Sequence, residues 1–402
     1  MRIAFISCEY PPDTGKGGIG TYTEQIAKAL AGLGWDVHVF AGSQFRQCEE
    51  TKDSVHIHWV QYGKPNNFHV NVLPVFDKQH SLQKFDVMES AEIQGNAWEI
   101  KKKYPEIPLV VRLHAPDYLV ESLKKRYIPF FAKLRFVIGS IKRKKIDLGY
   151  WRPYEKLKDP DYNYIKLANY ITAPSNSMKQ WAVKNWQINK DNITVIPNIF
   201  LPPSKWLSIP VNEMCIHKKV VFFGRLNVLK GLVNSCKAMK KILSENPDWK
   251  FRIVGDDGPG PSIDKSMKTW IQDYLKNVNT QLEFIDGVNY DELPFTIAET
   301  EIVLLPSLFE SFSYTCAESM AAGKAIVGSK SGGMKDLITD HQSGLLIDPE
   351  NPAHIYNAVN KLIKNNSLRY QLALNARTKI INEFNSRDAV QKFSNYYKNL
   401  SL

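Results

Sequence analysis

The sequence predicts an α/β protein made of two Rossmann-like units facing each other across a cleft. Three observations predict it. Short apolar runs alternate with amphipathic stretches throughout, the pattern of parallel sheets covered by helices. The pattern restarts near residue 220, after a Pro-containing stretch at 197–210. The chain has 402 residues, 44% of them hydrophobic, which suits two cores rather than one because domains run roughly 100–200 residues.

Taken in order, strands are expected at 3–7, 37–41, 55–60, 85–88, 109–113, 170–173 and 193–196. A helix is expected over 21–33, where Tyr22, Ile26, Leu30 and Leu33 share one face. The second set of strands falls at 220–224, 251–255, 282–286, 302–305 and 325–328. Helices end the chain with no further strand. These periods divide it into an acceptor-side domain at 1–205, a donor-side domain at 206–385, and a helix at 386–402 that returns to the first domain. In such sheets ligands sit at the carboxyl ends of the strands.

Composition narrows the partners. A net charge of +11 calls for an anionic partner or surface, be it nucleic acid, lipid or phosphorylated small molecules. Five scattered Cys, with no CxxC pair, read as reduced thiols in a cytosol. The N-terminal apolar run is cut short by Glu9, Tyr10, Pro11 and Pro12, unlike a secretory signal. No window reaches the roughly 20 apolar residues that span a bilayer. The expectation is a cytoplasmic protein, able to rest on a membrane but not to cross it. From Lys124 to Lys145 nine residues are Lys or Arg, none is acidic, and aromatics are interleaved. That segment suits a peripheral anchor on anionic lipid, or a solvated helix pair packed on the core.

The first chemical motif is Gly15-Lys16-Gly17-Gly18-Ile19-Gly20, which matches G-x-G-x-x-G and opens a helix capped by Thr21 and Glu24. Glycines let backbone N–H groups approach an anion, and the helix dipole favours negative charge there. A dinucleotide fold also wants an acid ending its second strand, whereas Val39-Phe40-Ala41-Gly42-Ser43 has none. A phosphate or sugar contact therefore fits better than a nicotinamide or flavin, and a purely structural turn stays open.

In the second half, Gly224-Arg225-Leu226 ends a strand and Lys230-Gly231 follows. Arg225 and Lys230 can both reach a diphosphate, one as a planar fork and the other as a point charge. Next come Glu310-Ser311-Phe312-Ser313 and, inside a helix, Glu318. The two acids are too far apart to share a proton, so they take different roles. Glu318 lies in an apolar helix and needs partners, which ribose hydroxyls supply. The backbone N–H groups of Ser311 to Ser313 can receive phosphate or sugar oxygens.

GRL…KG, E-x7-E, AAGKAIV and SGGMKDLI, preceded by GGIGTYTEQIAKAL, VRLHAPD and ITAPSNSMKQW…ITVIPN, resemble the retaining glycosyltransferases of family 4, with the two-domain GT-B fold. The resemblance covers most of the chain. It implies transfer of a hexose-type sugar from a nucleotide-sugar donor, with retention and by same-face attack. Arg225 and Lys230 would hold the diphosphate, Glu310 the sugar on its reacting face, Glu318 the ribose, and His114 the sugar. Gly17 and Gly18 would bring backbone N–H groups to the phosphates. It implies no cofactor and no metal, a UDP-sugar ahead of GDP- or ADP-sugars, and an acceptor that is a glycan or lipid-linked, in cell-envelope polysaccharide, lipopolysaccharide or glycolipid synthesis. Nucleic acid is not an expected partner.

Departures from the family pattern are local. E-G-F-G stands here as Glu310-Ser311-Phe312-Ser313, and P-N-G-[VI]-D as Pro197-Asn198-Ile199-Phe200. Asp159-Pro160-Asp161 mimics a D-x-D metal motif but reads as loop. Two rival functions remain: an oxidoreductase, opposed by the missing acid, and a basic membrane-surface protein that binds nucleotide without transferring sugar.

Overall fold

The computed structural model describes every residue except 15–16, 64–65, 145–146, 153, 215, 263–264, 289–291, 385–386 and 401–402. Gly15 and Lys16 of the glycine loop, and Lys145 of the basic segment, thus lie outside the described residues. Two compact units emerge, one of residues 1–117, 155–201 and 383–402, the other of 118–154 and 202–382.

The first unit is built on β1 (Arg2–Ser7), β2 (Asp36–Ser43), β3 (Cys48–Lys52), β4 (Val55–Gln61), β5 (Val87–Ala91), β6 (Leu109–Arg112), β7 (Tyr170–Ala173) and β8 (Ile193–Val195). Their order is β3-β4-β2-β1-β5-β6-β7-β8, with β3 alone antiparallel to its neighbour. Every residue of β1 and β5 is buried, as expected of strands covered on both faces. The helix Arg387–Lys398 belongs to this unit, where Tyr397 Oη donates to Glu89 Oε2 at 2.6 Å.

In the second unit β9 (Lys219–Phe223), β10 (Lys250–Val254), β11 (Leu282–Ile285), β12 (Ile302–Leu305), β13 (Ala325–Ser329) and β14 (Leu345–Ile347) form a parallel sheet ordered β11-β10-β9-β12-β13-β14. Val220, Phe222, Ile253, Leu304 and Val327 are fully or almost fully buried in its core. Each such side chain contributes about 1.5–3 kcal/mol of burial free energy.

Several expectations need correcting. The edge strand β3, CEETK, is exposed along its whole length, so no apolar run marked it. β14 is only three residues long and was not expected. β5 starts two residues later than expected, which places Glu89 inside the strand. The first helix spans Gly18–Ala31 with Gly17 as its N-cap. Thr21 does not cap it, since Thr21 Oγ1 donates back to Gly17 O at 3.0 Å and Glu24 pairs with Lys28. Asp159-Pro160-Asp161 is not loop: Asp159 caps the helix Pro160–Ile165 by accepting from Asp161 N and Tyr162 N. Residues 118–154, expected in the first domain, cluster with the second unit. There Tyr127 packs on the core and Arg126 pairs with Glu350 at 3.2 Å.

Candidate functional site

In the second unit β9 lies between β10 and β12, so the sheet reverses its winding direction there and opens a crevice beyond the strands' carboxyl ends. Loops from β9, β12 and β13 converge on that edge. In the first, Asn227 caps a short turn by accepting from Lys230 N at 3.2 Å, and Gly231 follows at φ +73°. A Cβ at Gly231 would stand 1.9 Å from the Pro306 carbonyl oxygen, so glycine alone fits. Leu308 N donates to Leu229 O at 2.8 Å, tying the first loop to the second. The third loop presses on the second: Gly332 has φ +94°, its Cβ would lie 2.2 Å from Glu310 O, and Gly333 N donates to that oxygen at 2.5 Å. Backbone contacts thus fix where Lys230 and Glu310 stand.

Lys230 Nζ and Glu310 Oε1 form a partly buried ion pair. Arg225 is exposed and makes no hydrogen bond or ion pair to a described residue. Neither Ser311 nor Ser313 has a positive φ, so serine replaces the family's loop glycines without backbone strain. Ser313 Oγ also caps the helix Tyr314–Ala321 by accepting from Cys316 N at 3.2 Å. Phe312 is buried and meets Tyr314 edge to face, with ring centroids 5.1 Å apart. Glu318, in that helix, is only 7% exposed, and no described residue donates to its side chain. Burial pushes its carboxyl up to about 7.

The first unit has its own reversal between β1 and β5. Gly17 and Gly18 follow β1, and a Cβ on Gly18 would meet open space. His114 follows β6. Its backbone N–H donates to both oxygens of Glu92 at 2.9 Å, and Glu92 is completely buried. The ring Nδ1 is 3.1 Å from Arg112 O and 3.5 Å from Glu92 Oε2, two acceptors. In the neutral ring that geometry puts the proton on Nδ1 and leaves a lone pair on Nε2. Nε2 is buried and has no hydrogen-bond partner among the described residues. The ring lines a pocket of about 210 Å³ with Ser7, Ile19, Tyr22, Thr23 and Glu89.

Sequence reasoning named His114 but missed Glu92, an acid just beyond a buried strand whose role depends on a contact 22 residues away. It also missed the part that Gly231 and Gly332 play in placing the charged pair. A larger pocket, about 350 Å³, lies at the amino ends of β12 and β13, lined by Glu301, Lys324 and Arg369. It is remote from these loops. Glu301 there already accepts from Ile216 N and His217 N, each at 2.9 Å, as a structural acid does.

Two parallel-sheet Rossmann-like units with polar loops at their reversal points are the GT-B architecture of glycosyltransferases. Sucrose-phosphate synthase from Thermosynechococcus elongatus superposes with a TM-score of 0.74 at 17% identity, covering 100% of this chain and 99% of that one. Anabaena HepE in complex with UDP and glucose gives 0.66 at 16% identity, covering 99% and 100%. The family model "Glycosyltransferase Family 4" matches residues 16–200, and "Glycosyl transferases group 1" matches residues 216–379. An uncharacterized glycosyltransferase of Methanocaldococcus jannaschii is 28% identical, over 99% of this chain and 98% of its own. The chain belongs to the family 4, group 1 glycosyltransferases.

Proposed function

We propose that this glycosyltransferase takes a hexose-type sugar from a nucleotide-sugar donor and transfers it with retention of anomeric configuration. The observation that carries the reading is that Arg225, Lys230 and Glu310 all follow the strands at the β9/β12 reversal, where two glycine contacts fix Lys230 and Glu310. Arg225 and Lys230 offset the charge that builds on the departing diphosphate, so no metal is required for that step. The backbone N–H groups of the loop through Ser311, Phe312 and Ser313 assist, with Gly17 and Gly18 serving the donor phosphates from the first unit. Glu310 contacts the transferred sugar, and His114 accepts a hydrogen bond from a sugar hydroxyl through Nε2. Glu318 accepts from the ribose hydroxyls, partners that no described residue gives its buried side chain. The acceptor hydroxyl attacks the anomeric carbon on the face the diphosphate leaves, and its proton passes to the departing phosphate oxygen. UDP-sugars are favoured over GDP- and ADP-sugars, in line with the UDP held by HepE. The test is nucleotide release from a panel of UDP-, GDP- and ADP-sugars, with the product anomer read by NMR. Failure to turn over or bind any of them rejects the proposal.

A second observation favours work on a lipid-linked or envelope glycan at an anionic membrane surface. The helix Phe130–Lys142 is rich in apolar residues, yet Ser140 is its only buried residue. Phe130, Phe131, Leu134, Ile138 and Ile141 recur at helical spacing and are all exposed, Phe131 to 80%. Arg135, Lys142, Arg143 and Lys144 stand exposed among them. Exposed aromatics amid cations suit insertion at the headgroup level, each cation adding about 1 kcal/mol near an anionic leaflet. No helix among the described residues is long and apolar enough to cross a membrane. Sedimentation with phosphatidylglycerol vesicles, lost in Phe130→Ser/Phe131→Ser and in high salt, tests this. Equal binding to neutral vesicles removes the electrostatic part.

A further inference from the structure

Away from the loops described above, at the amino ends of β2 and β4, three ligand-type side chains converge. Asp36 Oδ1 is 3.0 Å from His38 Nε2 and 3.7 Å from His56 Nε2. The ligand atoms of all three lie within 4.8 Å of one another. The parallel register of β2 and β4 sets His38 beside His56, so the sheet itself maintains the spacing. A tetrahedral metal with bonds of about 2.0–2.1 Å has ligand atoms about 3.3–3.4 Å apart, close to two of these separations.

The contacts behind these atoms are those of metal ligands, whose remaining polar atoms are held by neighbours. His38 Nδ1 lies 2.9 Å from His58 Nε2, and His56 Nδ1 lies 3.1 Å from Thr51 Oγ1. Both rings therefore direct Nε2 at Asp36, whose other oxygen takes Arg2 Nε at 3.0 Å. With the His38 proton on Nδ1, donated to His58, Nε2 and Asp36 Oδ1 are two acceptors 3.0 Å apart, a contact that needs a nearby cation. Arg2 Nη2, 3.1 Å from Nε2, supplies part of that charge in the metal-free protein. When a metal enters, Arg2 must give up this contact and the longer one from Nε to His38 Nε2 at 3.4 Å, while Nε keeps Asp36 and Nη1 keeps the carbonyl oxygens of Gln79 and Gln83.

We propose that Asp36, His38 and His56 form a structural site for a divalent transition metal of the zinc class. Two imidazoles and one carboxylate suit such an ion, with water in the remaining position on the exposed side. The metal would pin β4, and with it the β3 hairpin, to β2. It plays no part in sugar transfer.

The experiment uses the full chain, free of any purification tag and stripped with a chelator, titrated with Co²⁺ and then Zn²⁺. Expected are one Co²⁺ per chain with a visible absorption band, displacement by Zn²⁺, and a raised thermal midpoint with either metal. His56→Ala and Asp36→Asn, at partly exposed positions, should fold as the metal-free wild type does and lose the band, whereas His354→Ala keeps it. No band in the wild type, or an undiminished band in His56→Ala, overturns the proposal.

Discussion

Lys230 and Glu310, 80 residues apart in the chain, meet as an ion pair at the carboxyl ends of adjacent strands. Each is the other's counter-charge in the donor-free protein. In the proposed function, an incoming diphosphate would give Lys230 a stronger partner and free Glu310 to face the sugar.

Lys230→Ala should lower turnover about 10²–10³-fold, the usual loss when one stabilising donor to a developing anion is removed. Stability should change little, because a partly exposed pair is worth about 1 kcal/mol or less. Initial rates at saturating donor, with a thermal melt alongside, check both. Wild-type rates in a folded variant contradict the assignment.

Glu318 links pH to stability and to binding in opposite senses. Its carboxyl is raised from 4.5 to about 7 by burial. Its contribution to stability is therefore fully present below the unfolded value of 4.5 and is lost as pH rises through about 7. In the proposed ribose-binding role the ionised form is the better acceptor, so nucleotide affinity should rise across the same window. Melts and UDP titrations at pH 5.5 and 8 test this (experimental settings of roughly one step either side of the transition). Glu318→Gln should melt higher than wild type at the upper pH, bind nucleotide more weakly, and lose the pH dependence of both.

Glu92→Ala should leave the buried His114 N–H without its carboxylate, at a cost of about 1–3 kcal/mol. It should also lower kcat/KM for donor, by freeing a ring whose Nδ1 now lies 3.5 Å from Glu92 Oε2. His114→Ala should lower kcat/KM with little loss of stability. Guanidinium melts and donor kinetics on the two variants separate positioning from contact. Equal stability and equal kinetics in both would contradict the distinction.

Glycine substitutions discriminate sharply within one residue type. Gly231→Ala and Gly332→Ala each force a side chain into a positive φ and against a carbonyl oxygen. They should lose at least about 1–3 kcal/mol and most turnover. Gly18→Ala adds its methyl to open space and should leave stability unchanged. Paired melts of the three variants decide it.

Much of the fold was legible because strands covered on both faces are written as unbroken apolar runs, as in Val220-Val221-Phe222-Phe223. β3 was not, because an exposed antiparallel edge strand such as Cys48–Lys52 carries no such run. The helix start at Gly18 was misplaced because a T-x-x-E pattern outweighed a glycine N-cap that forms no side-chain bond. At the site, charged residues beside glycines announced themselves, as at Lys230-Gly231. Glu92 did not, since its meaning lies in a contact with another strand's end. The serines at 311 and 313 were readable as departures, but only the backbone angles show that they carry no strain.

The proposed function requires the second unit to grip a nucleotide diphosphate through Arg225 and Lys230. Calorimetric titration of UDP, GDP and ADP into wild type and the Arg225→Ala/Lys230→Ala double variant measures that grip directly. Saturable binding of at least one nucleotide, weakened tenfold or more in a double variant that still melts cooperatively, is the predicted result (about 1.4 kcal/mol or more). Binding of equal strength in both proteins, or of no nucleotide by the wild type, would contradict it.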